Sequence, residues 1–216
     1  MTQILATLVF LLTVAFASAA PLHLTFTHLD GEKPLLFDSL RYQNTAGESY
    51  SSTRLSYLVS DVTLHRGADQ PAITDPTIGF IDAPRSRTRL TIPHVPPGTY
   101  TALSFLLGLN EETNHADPAQ FTANHPLNPN LNNLHWDWQG GYIFLAMEGH
   151  WRKPGAKFPD GYAYHFANDH NRTRITLPAP IEITGETEIH LALDLAKLLS
   201  GLSFESDGPT THSQAG

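Results

Sequence analysis

From residue 21 onward the chain is a series of short runs of apolar and polar positions, cut by Pro, Gly, Asn and Asp. Leu22, Leu24, Phe26 and His28 share one face of a run over residues 22–29, with His23, Thr25 and Thr27 opposite. That period of two predicts a half-buried strand ending on a histidine. Residues 35–44 predict a second strand, closed by the Ala46-Gly47 turn. Residues 54–65 are apolar on both faces at their middle, as in a strand central to a sheet. Short strands over 78–81 and 88–92 come next. Val95-Pro96-Pro97-Gly98-Thr99-Tyr100 then forms a turn into a strand over 101–109. Residues 142–147, 162–166, 173–177 and 181–193 complete the strand set, the first rich in aromatic residues. Residues 194–201 predict one or two helical turns with Gly201 as the stop.

No internal repeat or second boundary interrupts this series. The expected fold is all-β, an immunoglobulin-like, Greek-key β-sandwich over residues 20–202 with a short C-terminal helical turn. Residues 203–216 are polar and expected to be disordered. Ahead of the sandwich, residues 4–16 are an apolar run followed by Ala17-Ser18-Ala19, a small-x-small cleavage pattern. Residues 1–19 therefore read as a signal peptide, and the mature chain as periplasmic or secreted, with no stable membrane insertion after cleavage.

Two stretches exceed what a plain sandwich needs. Between residues 110 and 134 there is no strand pattern, and a loop of that length in a compact domain points to function or disorder. Asp117-Pro118 reads as a cap and first position of a short helix. Phe121, Leu127, Leu131 and Leu134 can pin the loop down, so it is expected to be ordered. His115 and His125 lie within it and His135 at its end. Directly after it, His135-Trp136-Asp137-Trp138-Gln139-Gly140-Gly141 leads into the aromatic strand. If extended, this stretch puts Trp136 and Trp138 on one face and His135 and Asp137 on the other. The Gly pair allows a bulge or close backbone approach.

Composition narrows the chemistry. A formal charge of −8 with no basic cluster argues against a nucleic-acid partner. With 12 His and 0 Cys, a side-chain site would use nitrogen and oxygen donors. Thiol nucleophiles, disulfides and blue-copper thiolate ligation are excluded. No Gly-x-Ser-x-Gly, phosphate loop or dinucleotide fingerprint is present, and no enzyme activity is expected. The histidines lack a compact zinc spacing. His28 and His165 stand out because each lies within a strand; a buried His28 must find a partner, and His165 faces away from Tyr162 and Tyr164.

Several segments carry a resemblance to a known family. These are Phe105-Leu106-Leu107-Gly108-Leu109-Asn110, Asn114-His115-Ala116-Asp117-Pro118, His125-Pro126-Leu127-Asn128 and Trp136-Asp137-Trp138-Gln139-Gly140-Gly141-Tyr142-Ile143-Phe144, with Glu148-Gly149. Residues 55–64, Pro96-Pro97-Gly98-Thr99-Tyr100 and Tyr164-His165-Phe166 fit in order. Together they resemble the MbnP-like copper-binding family over nearly all of residues 22–195. The resemblance implies an exported β-sandwich that binds copper, with zinc as the lesser alternative, in copper acquisition or handling. It also implies a MauG-like di-haem peroxidase partner that oxidises a Trp to kynurenine.

Carried over by position, His115 and His165 match family histidines, and His28 matches one found in some members. Trp136 and Trp138 match the Trp pair and are the modification candidates. His135 holds a position more often apolar in the family and is added from its place beside the pair. The expected metal residues are thus His28, His115, His135 and His165, with carboxylates such as Asp117, Asp137 or Glu148 orienting the rings. Many members carry cysteines, and this chain has none; the family's His-Leu-Gly is His165-Phe166-Ala167 here. Two rival readings are a carbohydrate- or peptide-binding module using the Trp residues as a stacking platform, and a metalloenzyme with an open coordination position.

Overall fold

The computed structural model describes residues 18–67, 72–138 and 140–212. The signal-peptide expectation falls almost wholly on residues 1–17, outside the described residues. The strands are β1 (Ala20–Asp30), β2 (Lys33–Pro34), β3 (Tyr42–Gln43), β4 (Ser49–His65), β5 (Ile73–Asp75), β6 (Gly79–Asp82) and β7 (Arg89–Val95). After them come β8 (Gly98–Leu107), β9 (His135–Trp136), β10 (Gly141–Arg152), β11 (Asp160–Ala167), β12 (Thr173–Ile183), β13 (Thr187–Asp194) and β14 (Thr210–His212). Helical turns α1 (Glu111–Asn114) and α2 (Pro129–Asn132) lie in the long loop, and α3 (Leu195–Leu198) follows β13. No helix among the described residues is long and apolar enough to cross a membrane.

Two sheets form an all-β sandwich. In the smaller, β1 pairs parallel with β13 and antiparallel with β2 and β7. The larger runs β12-β8-β4-β10-β11-β14, with β3, β5 and β6 along β4 and β9 along β10. Leu22, Leu24 and Phe26 of β1 meet Leu55, Tyr57 and Val59 of β4 and Leu145 and Met147 of β10 in one core between the sheets. A second apolar cluster sits on the other side of the large sheet. There Tyr142, Phe144 and Ala146 of β10 pack with Leu58, Leu109, Leu127 and Leu134 under the long loop. β10 thus buries both faces, alternating Leu145 and Met147 inward with Tyr142, Phe144 and Ala146 outward.

The loop is ordered, and by more than its apolar residues. Buried Asn114 donates to Asp169 Oδ1 (3.1 Å) and accepts from the backbone N–H of Tyr142 (2.8 Å). Asn132 donates to the Pro126 carbonyl and accepts from the N–H of Leu134, both at 2.7 Å. Asp117 caps the turn that starts at Pro118. The many asparagines thus satisfy backbone groups that an irregular segment leaves unpaired.

Two sequence expectations need correction. Residues 35–44 do not form one strand: only Tyr42–Gln43 is paired, and Asp38 adopts a left-handed φ of 57°. Leu35 is buried while Leu36 is 49% exposed, so the apolar run there serves a coil segment. Residues 203–212 are not a disordered tail. Phe204 is fully buried against Tyr50, Trp151, Tyr162 and Tyr164. The carboxylate of Glu48 accepts from Ser203 Oγ and from the N–H groups of Phe204 and Glu205. β14 then pairs with β11. A single aromatic and a distant acid hold a segment whose own composition is polar; residues 213–216 lie outside the described residues.

Candidate functional site

β10 and β11 pair so that Ala146 lies opposite His165 and Glu148 opposite Ala163. β10 and β4 pair Glu148 with Arg54. Alternation places His165, Glu148 and Arg54 together on the outer face, just beyond the loop's apolar cluster. One oxygen of Glu148, Oε1, accepts from Arg54 Nη1 at 2.7 Å and from His165 Nε2 at 2.9 Å. Arg54 Nη2 also donates to the Asn133 carbonyl at 2.9 Å, tying the sheet to the loop. The hydrogen bond from His165, then the bond and charge of Arg54, hold the Glu148 carboxyl down to about 2 against the cost of its burial. An ionised Glu148 only accepts, so Nε2 of His165 carries the proton, and in the neutral ring Nδ1 carries the lone pair. Gly149 makes the arrangement possible: a Cβ there would lie 1.9 Å from the Ser51 carbonyl oxygen.

The Trp segment forms a hairpin rather than a long strand. Only His135 and Trp136 pair with β10, opposite Tyr142 and Gly141, and Gly140 turns the chain with φ 64°. The two indoles come together through the turn, ring centres 5.1 Å apart and inclined by 33°. Trp138 is 70% exposed. Trp136 also stands 5.9 Å from the His165 ring, so His165 and the pair form one constellation.

The other expected metal residues lie elsewhere. His28 is buried in the inter-sheet core, with Nε2 at 3.0 Å from the Tyr57 hydroxyl. Tyr57 and His165 are on opposite faces of the large sheet, so His28 and His165 do not share a site. Burial pushes the His28 imidazole down to about 4. His135 holds Asp137 Oδ1 through Nδ1 at 2.9 Å and lies edge-on to Tyr142.

His115 faces the Gly140 carbonyl from Nδ1 and Asp169 Oδ2 from Nε2, both at 2.9 Å. Carbonyl and carboxylate oxygens only accept, so both ring nitrogens must donate and the ring is an imidazolium. The bond to Asp169, then that to Gly140, raise its pKa. Bound this way, His115 clamps the Trp turn and has no lone pair to offer. Of the proposed orienting carboxylates, Glu148 and Asp137 do hold rings, whereas Asp117 is spent on a cap. Asp169 and Arg54 were missed; each meets its partner only through pairings distant in sequence.

Among the described residues, no three His, Asp or Glu side chains come close enough to enclose a metal ion. The four expected histidines are not brought together. A family model for MbnP matches residues 19–213. The chain belongs to the MbnP family. Among solved structures, MbnP from Methylosinus trichosporium matches with a TM-score of 0.59 and 15% identity, covering 91% of this chain and 82% of that one. At that identity the match shows a shared fold. No curated protein matches this MbnP-family chain.

Proposed function

We propose that this MbnP-family chain is an exported copper-binding protein of copper acquisition or handling, a carrier rather than a catalyst. The observation that supports it is the contact of His165 with Trp136, on a histidine whose proton is held by ionised Glu148. Neutral imidazole suits copper, and carboxylate-anchored histidines are the usual form of a metal-binding ring.

The side chains alone do not fit a closed metal site, because among the described residues no group of three His, Asp or Glu side chains forms around His165. Oxidation of an indole to kynurenine would change that. Two peroxides cleave the indole C2–C3 bond, each delivering one oxygen atom and leaving as water. Hydrolysis of the resulting formamide releases formate, and an aryl amine and a ketone are left as new donors. Trp136, which touches His165, is the substrate we favour, and exposed Trp138 is the face open to a di-haem peroxidase. In this reading His165 is the protein ligand. His28 and His115 drop out, for burial and for double protonation, and His135 supports the hairpin. A flat stacking platform for sugars is disfavoured by the 33° inclination of the indoles.

The test is metal analysis and peptide mapping on protein isolated from its exported compartment, with His165→Ala alongside. Copper together with the Trp-to-kynurenine mass change at Trp136, and loss of copper in the variant, is the expected result. A folded His165→Ala that binds copper with unchanged affinity overturns the assignment.

A further inference from the structure

A cavity of the size of a ligand site lies away from the Trp pair. It is a cleft of about 650 Å³ between the outer face of the large sheet and the α2 segment of the loop, whose lining includes Arg54, Ser56, Asp82, Arg85, Asn130 and Glu148. Its volume lies in the range of small-molecule sites. Two of its polar side chains are buried yet poorly bonded. Ser56 is 2% and Asp82 4% exposed, and the contact between Ser56 Oγ and Asp82 Oδ1 is 3.5 Å, at the limit of a hydrogen bond. A buried carboxylate oxygen with so weak a donor is costly, and a donor supplied from the cleft would relieve it. At the rim, Arg85 gives Nη1 to Asp82 Oδ2 at 2.8 Å while 82% of its side chain is exposed, so its remaining N–H groups face solvent. Asn130 adds an exposed amide.

The cleft therefore offers acceptors at its floor and donors at its rim. Its fixed charges balance, Arg54 and Arg85 against Asp82 and Glu148, which disfavours a simple anion or cation. Its lining includes no aromatic ring on which a sugar could stack. We propose that it binds a zwitterionic small molecule, an amino acid or short peptide with free termini. The ammonium donates to Asp82 Oδ1 and Ser56 Oγ, and the carboxylate accepts from Arg85 and Asn130. The proposal is independent of copper, because none of these four groups belongs to the His165 constellation.

The experiment is titration of the metal-free full chain with glycylglycine, followed by calorimetry and amide NMR. Saturable binding with shifts at Ser56, Asp82 and Asn130 is expected. N-acetylglycine and glycinamide, each lacking one charge, should bind at least about tenfold more weakly. Asp82→Asn should weaken glycylglycine by about tenfold or more. Arg85→Gln, at an exposed position that does not threaten the fold, should weaken it and erase the preference over glycinamide. Absence of saturation overturns the proposal. So does an equal response to glucose or acetate, or unchanged affinity in Arg85→Gln.

Discussion

At the scale of single residues, two of the expected metal-site histidines carry opposite electrostatics. His28 is desolvated and its pKa falls to about 4. Its unfolded-state value is near 6.5, so stability is full above that value and is lost as pH falls from 6.5 to about 4. His28→Gln should remove this part of the acid limb, by at most about 3 kcal/mol. Urea melts of both proteins at neutral pH and in mild acid measure it; parallel loss in both would show that His28 is not the titrating group. His115 has the reverse sign. Its raised pKa stabilises the fold below the unfolded value, and that support is lost as pH rises through the folded pKa. Its side chain is 49% exposed, so the effect is small, about 1 kcal/mol or less. Long-range nitrogen–proton NMR should show both ring nitrogens of His115 protonated where free histidine is neutral, and Asp169→Asn should lower that pKa. A single protonated nitrogen under those conditions would refute the clamp.

Elements show why part of the site was readable in the sequence and part was not. Alternation in β1 and β11 placed His28 on an apolar face and His165 away from its tyrosines, because strand period is local information. The partner of His165 was half visible: Glu148 was named for a neighbouring strand, but Arg54 meets it only once β4 and β10 are in register. His28 and His165 looked equivalent because a sequence does not say which side of a sheet its neighbour covers. The C-terminal segment failed for a related reason. Its order comes from Phe204 and from Glu48, a carboxylate held ionised by Asn44, Glu205, Phe204 and Ser203 although burial opposes it. Phe204→Ala should cost about 3–5 kcal/mol as a buried aromatic truncation. Hydrogen exchange should then rise along Tyr162–His165, where β14 pairs and the aromatic box closes. Exchange unchanged there would mean that β11 does not depend on the segment.

At the scale of the molecule, one sheet separates two apolar bodies, and two of the three tryptophans are divided between them. Trp151 packs with Phe204 in the inter-sheet core, while Trp136 packs with the cluster under the loop. The inner core draws on both sheets, whereas the outer one rests on a loop held by asparagine side chains and by the Tyr142 hydroxyl bond to Leu127 at 2.6 Å. Fewer long-range strands support the outer cluster, so it should open first, as a local unit. Leu127→Ala removes a fully buried side chain from it, at a cost of about 2–5 kcal/mol. In a Trp151→Phe background the remaining fluorescence reports the outer body, and in Trp136→Phe/Trp138→Phe it reports the inner one. Leu127→Ala should move the first denaturation midpoint well below the second. Coincident transitions in both backgrounds, with equal shifts from Leu127→Ala, would instead make the sandwich and its loop one cooperative unit.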